Sequence, residues 1–356
     1  MASKSKPAPY TYERDDRSVT PPPRRSPSPS YLKLADEPPQ SLHSTEGQRK
    51  LLILDLNGTL VHRSALHRPK HRGAPQSASA LDKNGRPLPK LRPVHPRPYM
   101  TAFRSYLFAP ETRAWLDVMV WSSAQPHSVG DMVEKCFASD KEKLLAVWAR
   151  DTLGLPKDHY CTNASSSDES PRRPRPHPDT VHSAFTTLLL DDSPRKAELQ
   201  PYNHVCIPEY SGEMRANDLE VLRTEKILAD SNQDVTDTSP EFDDFSAEAP
   251  AKSEDPTLQQ ALLEAQSEHE NKAYDETLLA VIGVLDEIKS QRNVAAWIRS
   301  GGLLRTYGTS RSSANVTVDT VISMWFERPE TVQSWVEKGK KALKALRIPV
   351  EHGIDH

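Results

Sequence analysis

The chain has 356 residues, enough for two ordinary domains, but 31 prolines and a negative mean hydropathy predict that a sizeable part lies outside a packed core. A formal net charge of −3 is too small to indicate a direct nucleic-acid partner, and no apolar run approaches the ~20 residues that span a bilayer. Three widely spaced cysteines without a Cys-x-x-Cys pair exclude a disulfide framework or a zinc knuckle, and they favour a reducing intracellular compartment.

Residues 1–47 are rich in Pro, Ser and Arg, and we expect a disordered tail there. The prolines and acidic residues exclude the apolar centre of a signal peptide and the amphipathic helix of a transit peptide. Within this tail, the stretch Arg24-Arg25-Ser26-Pro27-Ser28-Pro29 is open to two further interpretations, a proline-directed phosphorylation site or a weak nuclear address.

The run Leu51–Leu54 is the first predicted strand, and it is followed directly by Asp55 and then by a Gly58-Thr59 turn. Such a continuous apolar run is typical of a strand buried on both faces of a parallel sheet. Ligands of open α/β sheets bind at the carboxyl ends of the strands. The pattern therefore places Asp55 where chemistry is expected.

A long basic insertion, residues 62–96, comes next and shows no apolar periodicity. We expect a loop that either lies over the cleft and attracts a phosphorylated or acidic peptide, or is simply solvated. Its histidines have no metal-site spacing and are predicted to be solvated: His62, His67, His71 and His95.

After Arg97-Pro98 the spacing of Phe103, Tyr106 and Leu107 predicts a helix, and Leu116–Trp121 predicts a second strand. Ser122 and Ser123 follow that strand. A hydroxyl at a strand end can donate to a phosphate oxygen, or these serines can cap the next helix. Between residues 129 and 155 the apolar spacing predicts a helix facing the core.

A Ser/Arg/Pro-rich insertion, residues 161–178, is predicted to be a surface loop or disordered. The next apolar run, residues 186–190, is a buried-strand pattern that ends in Asp191 and Asp192, followed by Ser193-Pro194. Carboxylates from neighbouring strand ends are suitable ligands for Mg²⁺, although a helix N-cap also accounts for this pair. Residues 203–208 predict one further short strand.

The remainder divides into an acidic linker, residues 230–256, and a helical region, residues 257–350. The linker is predicted to be solvated and disordered. Trp and Leu recur at helical spacing in the last region, so we expect it to pack against the core as a helical appendage.

The motifs resemble those of the haloacid-dehalogenase phosphatases, whose first motif is a strand followed by Asp-x-Asp-Gly-Thr-Leu. The Arg97-Pro98 turn, Ser122 and the Asp191-Asp192-Ser193-Pro194 run resemble the branch that dephosphorylates the C-terminal domain of RNA polymerase II, also described as nuclear-LIM-interactor-interacting-factor-like. The sequence looks like a fungal-type variant of that branch, with the resemblance spanning residues 48–215. It implies an α/β fold, a Rossmann-like parallel sheet flanked by helices.

This resemblance also implies site roles. Asp55 would be the nucleophile that becomes an aspartyl-phosphate, and position 57 would be the general acid and base. Ser122 and Ser123 would bind the phosphate. Mg²⁺ would be held by Asp55 and Asp192, supported by Asp191 and by the backbone carbonyl of Asn57.

Two departures from the family pattern limit the predicted activity. The acid/base position is Asn57, and an amide neither gives nor takes a proton at neutral pH. The family's third-motif lysine has no counterpart in residues 158–193, where Lys157 lies just upstream and arginines at 172, 173 and 175 are the other cations. The gap has a second explanation, a missed exon or wrong splice junction.

These departures leave three functions open. The first is an impaired phosphoserine or phosphothreonine phosphatase acting on a phosphorylated protein in the nucleus or cytoplasm. The second is an inactive pseudophosphatase that binds phosphopeptides or other proteins, as in the similar presequence receptor of the mitochondrial inner-membrane translocase. The least favoured is a hydrolase of nucleotide or sugar phosphates, because Arg97-Pro98 and Asp191-Asp192-Ser193-Pro194 indicate the protein-phosphatase branch.

Overall fold

A parallel sheet of five strands organises the described part of the molecule, in the spatial order β5-β4-β1-β6-β7. The structure is a computed structural model that describes residues 26–42, 48–65, 90–152, 182–233, 273–305 and 324–354. The predicted insertion 161–178, residues 66–89 of the basic insertion and most of the acidic linker lie outside these ranges. The strands of the sheet are β1 Lys50–Leu54, β4 Leu116–Trp121, β5 Ala146–Trp148, β6 Thr187–Asp191 and β7 His204–Cys206.

Strand β1 lies in the middle of this sheet, between β4 and β6. Its apolar run is buried, as expected for a strand covered on both faces. In the register, Leu54 lies opposite both Val120 and Leu190. The residues that follow these three strands therefore emerge side by side at one edge of the sheet.

Helices cover both faces of the sheet, so the predicted α/β fold is confirmed. They are α1 Pro29–Ala35, α2 Met100–Phe108, α3 Pro110–Arg113, α4 Pro126–Phe137, α5 Gly212–Gln233, α6 Thr277–Ile288, α7 Val294–Arg299 and α8 Pro329–Ala345. Short 3₁₀ turns lie at Ala138–Lys143, Arg150–Thr152, Pro194–Ala197, Pro201–Asn203, Gly302–Leu304 and Trp325–Glu327. None of the helices in the described ranges is long and apolar enough to cross a membrane.

The late helix α6 is buried nearly all round and belongs to the same apolar cluster as the strands of the sheet. It crosses α8 at two glycines. A Cβ atom on Gly283 would lie 2.1 Å from the Trp335 carbonyl oxygen, and one on Gly339 would lie 2.0 Å from the Leu279 carbonyl oxygen. The predicted C-terminal helices thus form a layer of the core, held by a crossing that only glycine permits.

The predicted helix over residues 129–155 is wrong beyond Phe137. Ala138 has a φ of +45°, a conformation that ends α4, and residues 146–148 then form β5 at the edge of the sheet. Val147 on this edge strand and Leu145 just before it are exposed instead of facing a core. Their apolar pattern is that of a short strand, which periodicity alone does not separate from a helix.

Three segments predicted to lack regular structure are ordered where they are described. Ser28 caps α1 inside the expected 1–47 tail, and Tyr31 of α1 stacks on Tyr202. The ends of the basic insertion pair as β2 Val61–Arg63 and β3 Val94–Pro96. Helix α5 runs to Gln233, past the expected boundary at 215 and into the start of the predicted linker.

Candidate active site

Three carboxylates converge at the carboxyl edge of the sheet. One ligand oxygen from each of Asp55, Asp191 and Asp192 lies within 4.8 Å of the others, which makes them the candidate metal site among the described residues. Asp55 and Asp191 are buried, and Asp192 is half-buried. The juxtaposition expected from the sequence is therefore present in the structure.

Strand register explains why these side chains meet. The Asp55 backbone N–H donates to the Leu190 carbonyl at 3.1 Å, so Asp55 leaves β1 level with the end of β6. Asp191 is the last residue of β6, and Asp192 comes directly after it. Parallel pairing of two buried strands thus delivers all three carboxylates to one place.

Lys196 supplies a positive charge that the sequence analysis missed. Its ammonium group lies 2.7 Å from Asp55 and 2.8 Å from Asp191, so it bridges the two carboxylates. Lys196 lies in the 3₁₀ turn Pro194–Ala197, which turns the chain back over the strand ends. Lys196 lies three residues beyond the window 158–193 in which the sequence analysis expected this cation. Pro194 after Ser193 is the sequence signal for a tight turn that brings the next residues back to the strand ends.

Burial and this lysine set the protonation of the site. Burial raises the pKa of Asp55, opposed by Lys196 and reinforced by the nearby Asp192 carboxylate. Burial likewise raises the pKa of Asp191 to about 6. For Lys196 burial lowers the pKa, but attraction to Asp55 and the hydrogen bonds to both carboxylates outweigh it, so the net shift is upward. The lysine is thus held in its charged form.

The turn after β1 packs closely on Asp192. Gly58 has a φ of +86°, and a Cβ atom there would lie 2.7 Å from a carboxylate oxygen of Asp192. The Thr59 hydroxyl accepts from the Asp192 backbone N–H and lies 3.2 Å from one of its carboxylate oxygens, to which it can donate. This Gly-Thr pair therefore fixes the position of the Asp192 carboxylate.

Asn57, the expected acid/base position, lies in this turn with an exposed side chain. Its backbone bridges to Val61, and the Gly58 backbone N–H donates to the Val61 carbonyl at 2.8 Å. The Asn57 side chain is therefore accessible from solvent. The amide chemistry still excludes proton transfer at neutral pH.

Ser122 and Ser123 follow β4, the strand on the other side of β1. Ser122 is buried, its backbone N–H donates to the Trp148 carbonyl, and its hydroxyl accepts from the Ala124 backbone N–H at 3.3 Å. Ser123 is exposed, and its carbonyl accepts from Arg150. Ser122 thus lies at the strand end next to Asp55, while the Ser123 side chain faces solvent.

The donor set fits Mg²⁺. All three candidate ligands are carboxylates, and hard divalent cations prefer oxygen. The missing Cβ of Gly58 leaves space for the Asp192 carboxylate to lie against the turn. Mg²⁺ bound there would polarise a phosphoryl oxygen and neutralise charge. The backbone carbonyl of Asn57 remains a predicted additional ligand.

Comparison with known proteins gives a family match. Residues 50–239 match the family model described as NLI interacting factor-like phosphatase. An uncharacterized FCP1 homology domain-containing protein of Schizosaccharomyces pombe is 29% identical over 198 residues, which cover 54% of this chain and 72% of that protein.

Two solved structures are also similar. One is Fcp1, described as an essential RNA polymerase II CTD phosphatase, with 15% identity, a TM-score of 0.31 and coverage of 85% of this chain and 94% of the other. The second is fission yeast Fcp1 bound to beryllium fluoride, with 13% identity, a TM-score of 0.30 and coverage of 71% and 70%. At these scores the family assignment rests on the sequence match.

Proposed function

The chain belongs to the NLI interacting factor-like phosphatases, and on that premise we propose that it is a slow phosphoserine or phosphothreonine protein phosphatase with Asp55 as its nucleophile. The bridge from Lys196 to Asp55 and Asp191 carries the proposal. It supplies the cation whose absence from residues 158–193 was one of two reasons to expect inactivity. The other reason is Asn57, which remains and is expected to lower the turnover rate.

In the first step an oxygen of Asp55 attacks phosphorus, and the bond between phosphorus and the serine or threonine oxygen breaks. Lys196, which pairs with Asp55, would stabilise negative charge on the transferred phosphoryl oxygens, and the Ser122 hydroxyl at the end of β4 would donate to one of them. The departing oxygen must gain a proton, which Asn57 cannot give, so the proton comes from solvent. In the second step water attacks phosphorus, the bond between phosphorus and the Asp55 oxygen breaks, and inorganic phosphate leaves. The attacking water must lose a proton, which Asn57 cannot take, so that proton goes to solvent.

Both half-reactions therefore run without the family's acid/base group. Positioned proton transfer is typically worth ~10²–10⁴ in rate. We expect turnover below that of a family member with aspartate at this position by a factor in that range. The second step also decides how long the phosphoryl group stays on Asp55.

A phosphorylated or acidic peptide is the proposed substrate class. Cations lie at the β2–β3 pair that follows the turn after β1: Arg63 is on β2, Arg92 donates to the Arg63 carbonyl, and Arg215 is on α5. Burial lowers the pKa values of His62 and His95, which stack on each other; the field of Arg215 adds to both shifts, and the field of Arg92 adds to that of His62. A positive field at this position favours an anionic chain.

The second candidate is a pseudophosphatase that binds phosphopeptides without turnover. Asn57 is the observation that favours it, because the pocket could still bind a phosphoryl group through Lys196 and Mg²⁺. The two candidates differ in whether Asp55 becomes phosphorylated.

Leaving-group chemistry separates them. Nitrophenolate departs without a proton, whereas serine oxygen needs one, so the native chain with Mg²⁺ should hydrolyse p-nitrophenyl phosphate slowly and a phosphoserine peptide far more slowly. Asn57→Asp should accelerate the peptide reaction more than the nitrophenyl reaction. Asp55→Asn is the matched control and should abolish both.

Absence of any turnover in the native chain, together with activity in Asn57→Asp, would establish the pseudophosphatase. Measurable turnover that is equal in the native chain and in Asp55→Asn would contradict both candidates. If the phosphatase proposal is right, native protein that is incubated with p-nitrophenyl phosphate and quenched with acid should carry one added phosphoryl group on Asp55. Mass spectrometry detects this group.

A further inference from the structure

Arg97 is a buried arginine whose hydrogen bonds join three parts of the chain. Its side chain has no solvent exposure. One terminal nitrogen donates to the carbonyls of Thr59 at 3.1 Å and Pro208 at 3.0 Å. Its Nε pairs with the Asp275 carboxylate, and its other terminal nitrogen donates to the Thr277 hydroxyl at 3.0 Å. Each of the three guanidinium nitrogens therefore has a hydrogen-bond partner.

The first of these contacts reaches the candidate active site. Thr59, whose carbonyl accepts from Arg97, also contacts the Asp192 carboxylate and accepts from its backbone N–H through its hydroxyl. A continuous series of contacts thus runs from Asp275 through Arg97 and Thr59 to Asp192. Each member is held by at least two partners.

A second route runs in parallel. The Asp275 backbone N–H donates to Asp218 at 2.9 Å, and the Tyr210 hydroxyl donates to the same carboxylate at 2.8 Å. The Tyr210 backbone N–H then donates to the Gly58 carbonyl at 2.6 Å, and its ring packs under the Arg97 guanidinium. Both routes therefore end on the Gly58-Thr59 turn that packs against Asp192.

The ion pair between Arg97 and Asp275 is largely buried. Asp275 is 9% exposed and is the carboxylate paired with Arg97 among the described residues. Its second oxygen accepts from the backbone N–H and hydroxyl of Thr277. A buried guanidinium that loses its carboxylate keeps an uncompensated charge, so it must move towards water or draw other partners with it.

Asp275 and Thr277 lie beyond residue 239, where the family match ends. We propose that Asp275 and Thr277 are positioning residues for the active site, which hold the Gly58-Thr59 turn through Arg97 and so fix the Asp192 carboxylate for metal binding. The proposal rests on the proposed function for its catalytic meaning. Its structural content stands on the contacts alone.

Hydrogen–deuterium exchange of the full chain tests the structural part without turnover. In Asp275→Asn, amide exchange over residues 56–61 should accelerate relative to the native chain, while residues 116–121 of β4 keep their protection. Calorimetric titration with Mg²⁺ alone should show affinity weakened by roughly tenfold, the lower end of effects from outer partners of metal ligands.

Glu276→Gln is the matched control. Glu276 lies between the two proposed residues and pairs with Lys340 instead of Arg97, so exchange and Mg²⁺ affinity should stay native. If Asp275→Asn does not fold, Thr277→Val replaces it, because that change removes one partner of Arg97 and leaves the ion pair. Thr277→Val should weaken Mg²⁺ binding by a smaller factor and should speed exchange over the same residues.

Native exchange over residues 56–61 in a folded Asp275→Asn or Thr277→Val variant would overturn the proposal. If the native chain shows no turnover, the proposed function is contradicted. The positioning role of Asp275 and Thr277 is still tested by hydrogen–deuterium exchange. A positioning role also predicts that Asp275→Asn lowers kcat while KM for p-nitrophenyl phosphate changes little, because Asp275 does not contact the substrate.

Discussion

The ammonium group of Lys196 lies 2.7 Å from the Asp55 carboxylate, although 141 residues separate the two in sequence. Because this cation faces the proposed nucleophile, Lys196→Ala should lower kcat/KM for p-nitrophenyl phosphate by about 10²–10³, the range seen when one preorganised charge-stabilising donor is lost. Lys196→Arg should recover part of that loss.

Arg195→Ala is the control for this change. Arg195 is the exposed neighbour in the same turn, and its replacement should leave kcat/KM within a factor of two of native. A Lys196→Ala variant with native kcat/KM would show that the bridge has no part in phosphoryl transfer.

Gly58→Ala tests the close packing of the turn against Asp192. The added Cβ would lie 2.7 Å from the carboxylate, and the φ of +86° is strained for alanine, so we expect a loss of about 1–3 kcal/mol in the free energy of unfolding. Mg²⁺ affinity should fall as well, because Asp192 has to move. Chemical denaturation and calorimetric titration measure the two effects.

Gly130→Ala is the opposite case and serves as the control. Gly130 lies on α4 with nothing within 4 Å of its added Cβ, so alanine should raise the free energy of unfolding by roughly 0.5–1 kcal/mol. Equal effects of the two substitutions would contradict the role assigned to the turn.

Ala138→Gly should stabilise the protein. Ala138 ends α4 with a φ of +45°, which glycine adopts without strain, so we expect about 1 kcal/mol more free energy of unfolding. Ala109 ends α2 with an ordinary φ of −58°, and Ala109→Gly should instead cost about 0.5–1 kcal/mol. Paired urea denaturation curves distinguish the two signs.

Lys50 makes the free energy of unfolding depend on pH. Burial lowers its pKa to about 8 from the ordinary 10.5, while its ammonium group donates to the Gln291 carbonyl. The unfolded chain therefore binds more protons between these values, so the Lys50 contribution to stability rises with pH across that window, by up to ~3 kcal/mol in total.

The measurement is the free energy of unfolding of the native chain minus that of Lys50→Met, followed from pH 7 to pH 10. The difference should move in favour of the native chain above pH 8, because other titrating groups are common to both proteins. A difference that stays flat over this range would mean that Lys50 titrates normally.

Sequence reasoning located the central strands well because each is a short apolar run followed by a carboxylate or hydroxyl. β4 has the predicted bounds, β1 begins one residue earlier than predicted, and β6 is shifted by one residue at both ends. The convergence of Asp55, Asp191 and Asp192 followed from the rule that parallel strands end at one edge. These features depend on local pattern and strand direction alone.

The remaining features depend on tertiary contacts that no local pattern reports. Lys196 reaches the site through a turn, and its role is visible only beside Asp55. Arg97 was noted for its place before a proline, whereas its partner Asp275 lies 178 residues away. The strand at 146–148 was predicted as helix because its pairing with β4, and not its own spacing, decides its conformation.

The glycine crossing of α6 and α8 has a consequence for how the protein is made on the ribosome. The sheet with its three carboxylates is encoded in the first 206 residues, but the apolar layer that seals it is not synthesised until Gly339 has been added. In a nascent chain the apolar strands therefore lack this helical layer while more than a hundred further residues are added. We therefore expect the core to complete its packing only after most of the chain has been synthesised.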